Sequence, residues 1–184
     1  MDKILTVAIT TYNRKERLLN QLKSIFRQKE KDLVKVVVID NHSNYNIKAA
    51  LTEEFGFEIA DEIEVHVNPL NFGMCANLAM PFLYCTTPWL WTLSDDDETL
   101  VNSISIIYKD ITMYPDTIMF KYAIDGGRLD DMEFSSFEQL IDYYYCKKNA
   151  GGHLIFLSNN VYNMRYAMQY YGNTLSNSFC CIAQ

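Results

Sequence analysis

Apolar runs of two different periods take turns along this chain, and that alternation limits the folds open to it more than any other feature. Residues 4–10 and 34–39 are short runs rich in β-branched and apolar side chains, the pattern of strands covered on both faces. Between them, over residues 15–29, Leu18, Leu22, Ile25 and Phe26 recur at i, i+4, i+7 and i+8, one stripe of a surface helix. The spacing predicts further helices over 46–55, 74–84, 100–113 and 136–148, and strands over 63–67, 89–93, 117–124 and 153–157, with a Gly/Asp loop over 125–131. Strands joined through helices pair in parallel. The expected fold class is therefore α/β: an open, mostly parallel sheet flanked by helices, with its ligand beyond the carboxyl ends of the strands.

That expectation directs attention to the polar residues that follow each strand. Three clusters qualify: Thr10 to Asn13, Asp40 to Ser43, and Asp95 to Glu98. Three aspartates and a glutamate in a row repel one another, and a divalent cation such as Mg²⁺ or Mn²⁺ relieves the repulsion while completing its shell with substrate phosphates. The competing explanation is a helix N-terminus, where Asp and Glu also gather and where Ser94 or Asp95 could cap.

Composition narrows the partners. At 184 residues the chain suits one domain, and its formal charge of -7 with no long basic run argues against a nucleic-acid backbone as ligand. No apolar stretch approaches the roughly 18 residues a bilayer span needs, and the N-terminus lacks the body of a signal peptide, so a soluble intracellular protein is expected. Five cysteines with no CxxC pair read as reduced, partly buried thiols.

Taken in order, the clusters and their flanks resemble family 2 glycosyltransferases of the GT-A, or nucleotide-diphospho-sugar transferase, fold. Leu5-Thr6-Val7-Ala8-Ile9-Thr10-Thr11-Tyr12-Asn13-Arg14 is similar to that family's opening strand and turn. Val37-Val38-Ile39-Asp40-Asn41-His42-Ser43 resembles its second strand with a D-[DN]-x-S ending. Asn71, Gly73, Ala76 and Asn77 resemble an N-x-G-x-x-x-A-N segment, and Leu93-Ser94-Asp95-Asp96-Asp97 resembles the DxD region. The resemblance covers residues 4 to about 120. It implies a single domain over 1–184, with a nucleotide-binding half of about 1–100 and an acceptor-side half of about 101–184. It also implies an inverting, metal-assisted transfer from a nucleotide-diphosphate sugar to a glycan or lipid-linked acceptor, as in bacterial polysaccharide assembly. Such an enzyme works in the cytoplasm, at the inner face of the membrane, with peripheral association and no transmembrane segment.

The same resemblance distributes roles. Thr10 and Tyr12 line the nucleotide pocket, the tyrosine ring against the base, a contact worth about 1–3 kcal/mol where a base stacks on an aromatic ring. Asp40 accepts a hydrogen bond from the base. Because a carboxylate only accepts, a UDP, dTDP or GDP donor is preferred; the alternative is that Asp40 merely closes its turn or caps the next helix. Asn71, Gly73 and Asn77 lie close to the donor. Asp95 meets the ribose and Asp96 the metal, Mn²⁺ or Mg²⁺, with Asp97 the alternative metal ligand in a run whose register is ambiguous.

An inverting transfer also needs a base for the acceptor proton. Residues 171–178, where a family member carries an acidic pair, contain no acid, which leaves Asp130, Asp131, Glu133 and His153 as candidates by position alone. The chain ends on the apolar Cys180-Cys181-Ile182-Ala183-Gln184, so the native polypeptide is expected to continue and to carry the base beyond residue 184. Two other readings stay in view. Asp95-Asp96-Asp97-Glu98-Thr99 fits the D-x-D-x-T of Mg²⁺-dependent phosphatases of the haloacid dehalogenase type, although three strands precede it where that motif opens a domain. The other is a sugar-nucleotide-binding domain without activity.

Overall fold

The structure is a computed structural model, which describes residues 2–97, 99–122, 132–147, 158–169 and 171. The chain runs β1 (Leu5–Thr11), α1 (Lys15–Phe26), β2 (Val34–Asp40), α2 (Ile47–Glu62), β3 (Glu64–Val67), α3 (Met74–Tyr84), β4 (Trp89–Ser94) and α4 (Ser103–Met113). It continues through β5 (Met119–Lys121), α5 (Phe137–Ile141) with a π-helical turn over Asp142–Lys147, β6 (Asn160–Asn163) and α6 (Met164–Ala167). The strands form one sheet in the order β3-β2-β1-β4-β6-β5. Neighbouring pairs among β1 to β4 are parallel, and β6 runs antiparallel between β4 and β5.

The two-residue period of the strands sorts the core into two layers. Leu5, Val7 and Ile9 of β1, with Val36 and Val38 of β2 and Trp91 and Leu93 of β4, face Leu18, Leu22 and Ile25 of α1, Leu51 of α2 and Ile104, Ile107 and Ile111 of α4. Ala8, Val37, Ile39 and Leu90 point the other way, onto Met80 of α3 and Met164 of α6. β1 is buried along its whole length, as a central parallel strand covered by helices on both sides must be.

The structure departs from the sequence reading at four elements. The helix expected to end at residue 55 resumes after a break at Gly56, whose φ of 80° and ψ of 166° interrupt α2. α4 starts at Ser103 rather than near 100, with Asn102 as its first flanking residue. β6 was not anticipated. Its four residues begin and end on asparagine, a poor strand former, and they are held by distant partners: the Asn163 side-chain amide donates to the carbonyls of Pro115 and Thr117, and Val161 is fully buried. β5 is shorter than the run expected over 117–124. The strand expected over 153–157 and the loop over 125–131 lie outside the described residues.

The break in α2 is testable. Gly56 sits in a region of backbone space that is essentially reserved for glycine, and a Cβ built there meets no atom within 4 Å. Gly56→Ala should therefore cost about 1–3 kcal/mol of stability through the backbone alone, read as a lowered urea midpoint with an unchanged m-value. An unaltered midpoint would show that α2 does not depend on that conformation.

Candidate active site

Register brings the three polar clusters together. Thr11 at the end of β1 stands opposite Asp40 of β2, and Thr10 stands opposite Ser94 of β4, so the residues just past each strand share one edge of the sheet. The order β2-β1-β4 also makes this edge the point where the chain reverses its direction of travel across the sheet, the place where an open α/β fold leaves a crevice. A cleft of about 640 Å³ occupies it. Thr10, Thr11, Tyr12 and Arg14 line it from the β1 side, Asn41 from β2, Asn71, Gly73 and Asn77 from the start of α3, and Ser94 to Asp97 from β4. Met74, Leu78, Pro81, Phe82 and Tyr162 supply an apolar wall.

The turn after β2 is organised by side chains. Asp40, only 1% exposed, accepts hydrogen bonds from the backbone N–H of Ser43 at 3.0 and 3.1 Å and from its hydroxyl. This Asx-type closure lets His42 adopt a φ of 71° and leaves it exposed, with Nδ1 against the carbonyl of Asn68. Asn41 points the other way and ties down the loop before α3. Its oxygen accepts from the Phe72 N–H at 2.9 Å and from the Asn68 side-chain amide at 3.0 Å, while its own NH₂ donates to the Asn71 oxygen at 2.7 Å. Asn68 passes the network on to the oxygen of Asn77 at 3.0 Å. Gly73, at φ 81°, begins α3 in a conformation that favours glycine.

The acidic tip after β4 is ordered by cations from α1. Asp95 is 3% exposed and takes one hydrogen bond on each oxygen, from the Thr11 hydroxyl at 2.7 Å and from Arg14 Nη1 at 3.0 Å. The same Arg14 nitrogen reaches Asp96 Oδ2 at 2.9 Å, Arg17 reaches that oxygen at 3.0 Å, and the Ser94 hydroxyl donates to the other. Burial pushes the Asp95 carboxyl above its ordinary range, and the Thr11 and Arg14 bonds only partly offset this. Asp96 moves the opposite way, held down first by the Ser94 hydroxyl and then, against some burial, by Arg14 and Arg17. The capping explanation for these acids does not describe them. α4 begins only at Ser103, and the Ile104 N–H of its first turn is met at 2.8 Å by the side-chain oxygen of Gln28, which follows α1.

Of the residues singled out from sequence, Thr10, Tyr12, Asn71, Gly73, Asn77, Asp95, Asp96 and Asp97 all line the cleft. Tyr12 is 42% exposed, with its ring available to a ligand. Asp40 lies directly behind them, beside Thr11. Asp130, Asp131 and His153 fall outside the described residues, and Glu133 is exposed. Cys75 is exposed and Cys85 half-buried, both as free thiols. Thr11, Arg14, Arg17 and Asn41 organise the site without having been assigned a role. Arginines at the start of α1 were the available signal, because a helix N-terminus disfavours cations unless anions lie nearby. Asp97 alone of the three aspartates has no hydrogen-bond or ion-pair partner among the described residues, and it lines the cleft.

Residues 6–181 match the model of glycosyl transferase family 2. Among solved structures, TarS 1-349 of S. aureus superposes with a TM-score of 0.59 at 15% identity, over 89% of this chain and 47% of that one. The mannosyltransferase PcManGT of Pyrobaculum calidifontis, in complex with GDP-Man and Mn²⁺, gives 0.63 at 14% identity over 89% and 45%. TarS 1-349 in complex with UDP-GlcNAc gives 0.60 at 15% identity over 89% and 46%. At such identities the likeness is one of fold, and the fold is the GT-A architecture. The chain spans less than half the length of each of these structures. No curated protein matches it by sequence.

Two predictions follow from the geometry. Asn41→Ala leaves the Phe72 N–H and the Asn68 amide without their acceptor, so it should cost about 1–3 kcal/mol and accelerate hydrogen exchange at Phe72. Unchanged exchange there would mean that the loop is held by something else. The two acidic shifts have opposite signs in pH. Asp95 keeps its proton to higher pH in the folded chain than in the unfolded one, so its contribution to stability declines as pH rises above its ordinary value of 3.8. Asp96 loses its proton more readily when folded, so its contribution is in place above 3.8 and is lost as pH falls below it. Urea midpoints measured from about pH 3 to pH 6 should show the first loss removed by Asp95→Asn and the second by Asp96→Asn. Profiles displaced in the same direction by both variants would contradict this assignment.

Proposed function

The chain belongs to glycosyl transferase family 2, and on that footing we propose that it moves a sugar from a nucleoside-diphosphate sugar to a glycan or lipid-linked acceptor, with inversion at the anomeric carbon. The observation that carries the reading is the convergence of the β1, β2 and β4 ends on one cleft of about 640 Å³, lined by Tyr12 and by a charged tip at Asp95 to Asp97. In this reading residues 1–100 hold the nucleotide and 101–184 contribute the acceptor side.

The chemistry divides along the cleft. Tyr12 stacks on the base, and Thr10 lines the pocket beside it. Asp40 accepts from the N3–H of uracil or thymine or the N1–H of guanine, a choice that favours UDP, dTDP or GDP. Its bonds to Ser43 leave the carboxylate with acceptor capacity, since two oxygens offer about four lone-pair sites. The complexes of the similar folds, with UDP-GlcNAc in one and GDP-Man in another, agree with that choice. Asn71, Gly73 and Asn77 flank the donor, and Asp95, oriented by Thr11 and Arg14, meets the ribose.

Asp96 and Asp97 are the residues that would hold Mn²⁺ or Mg²⁺. The donor set fits, because these cations take one or two carboxylates and complete their shell with phosphate oxygens, and Asp97, which lines the cleft, has no side-chain partner among the described residues. Bound there, the cation would offset the charge that develops on the departing diphosphate. The acceptor hydroxyl gives its proton to a base whose candidates by position, Asp130, Asp131 and His153, lie outside the described residues. No helix among the described residues is long and apolar enough to cross a membrane; a lipid-linked acceptor would be met by peripheral association at the cytoplasmic face.

Isothermal titration with UDP-, dTDP- and GDP-sugars in the presence of Mn²⁺ tests the reading, followed by assay for released nucleoside diphosphate. Binding with sugar release supports the transferase. Binding without turnover supports a sugar-nucleotide-binding domain, the reading favoured by the absence of an acid over residues 171–178. Hydrolysis of a phosphomonoester without nucleotide binding would restore the phosphatase. Asp40→Asn, which replaces one acceptor oxygen by a donor, should weaken the preferred nucleotide about tenfold or more. An unchanged Kd would remove Asp40 from base recognition.

A further inference from the structure

Arg14 and Arg17 neutralise the very carboxylate that the proposed function offers to a metal. Asp96 Oδ2 accepts from both guanidinium groups, at 2.9 and 3.0 Å, and Oδ1 is engaged by the Ser94 hydroxyl. Counted as charges, Asp95 and Asp96 are balanced by Arg14 and Arg17, which leaves Asp97 as the unbalanced aspartate of the three among the described residues. A divalent cation approaching Asp96 therefore meets two positive groups that already occupy one of its oxygens.

We propose that Arg14 and Arg17 are resident counter-ions of the tip, which hold Asp96 away from a divalent cation until a diphosphate draws Arg17 off it while Arg14 stays on Asp95, so that cation and nucleotide bind together rather than one after the other. The inference rests on the transferase reading for the identity of the diphosphate. The Arg17 side chain is 59% exposed and bonds only Asp96 among the described residues, so it can change partners without opening the core, whereas Arg14 also neutralises the buried Asp95. Arg14 already lines the cleft. A diphosphate offers guanidinium groups a better partner than an exposed carboxylate, because planar N–H pairs match phosphate oxygens in bidentate fashion. Linkage then makes the effect mutual: the factor by which nucleotide tightens the cation is the factor by which the cation tightens nucleotide. Arg17 thus acts as a positioning residue for Asp96.

The test measures free Mn²⁺ by electron paramagnetic resonance at low ionic strength, first without nucleotide. Arg17→Gln should bind Mn²⁺ alone about three- to tenfold more tightly than the parent chain, the scale of removing one solvent-exposed cation that acts on the site through water-like, partly screened surroundings. Arg17→Lys should stay close to the parent, and adding Asp96→Asn to Arg17→Gln should abolish the gain. An Arg17→Gln variant with unchanged or weaker Mn²⁺ affinity overturns the proposal, as does a gain that survives Asp96→Asn. With UDP added, the parent should gain Mn²⁺ affinity by a larger factor than Arg17→Gln. A parent that binds no nucleotide at all would remove the transferase reading, while the comparison in Mn²⁺ alone still decides the role of the arginines.

Discussion

The pairing of β1 between β2 and β4 is the constraint from which the rest of the site descends. A parallel register is all or nothing: a slip of one residue would turn Leu5, Val7 and Ile9 out of the helix-covered layer and would separate Thr11 from both Asp40 and Asp95. The apolar core fixes that register through the two-residue period of the strands. The polar ends are then carried into contact as a consequence, so the geometry of the cleft is set by packing that occurs well below it.

Concentrating carboxylates at a strand end has a cost that the chain meets locally. Asp95 is nearly inaccessible to water and would be strongly disfavoured as an anion were Thr11 and Arg14 not both bonded to it. Arg14 and Arg17 sit in the first turn of α1 or just before it, where the helix dipole opposes positive charge. Each unfavourable placement is offset by the other: the acids stabilise cations at a helix N-terminus, and the cations stabilise acids at a strand end. This reciprocal arrangement also explains why the aspartates are not spent on capping α4, whose first turn draws on Gln28 instead.

Much of this was legible beforehand, and the parts that were not share a cause. Residues of the strands and helices around the cleft announce themselves through period, so β1 to β4, α1 and α3 begin where the apolar pattern puts them, while α2 runs on past Gly56, and Asp95 to Asp97 stand out as a cluster at a strand end. What escaped was long-range. β6 is too short and too rich in asparagine to carry a strand signal, and it exists because β4 and β5 present edges for it to join. The link between Arg14 and Asp95 spans 81 residues of chain and follows from strand order, which periodicity does not specify. The role of Asn41 was likewise invisible. An asparagine in a turn reads as a turn former, whereas here its amide reaches across to Phe72, Asn71 and Asn68 because β2 and β3 are neighbours.

The two ends of the cleft are built from different physics, and in the proposed function that difference gives a donor its direction. On the β2 side the loop before α3 is held by neutral amides, in a network from Asn41 through Asn68 to Asn77 that is indifferent to salt and to moderate pH. On the β4 side the structure depends on ion pairs, which respond to both. A nucleoside diphosphate has the same polarity, with a neutral base at one end and two phosphates at the other. Seating it backwards would place phosphate charge against amides already committed to one another and a neutral base against guanidinium and carboxylate groups held in ion pairs. In the proposed function, orientation is therefore decided by this mismatch before any atom of the sugar is recognised.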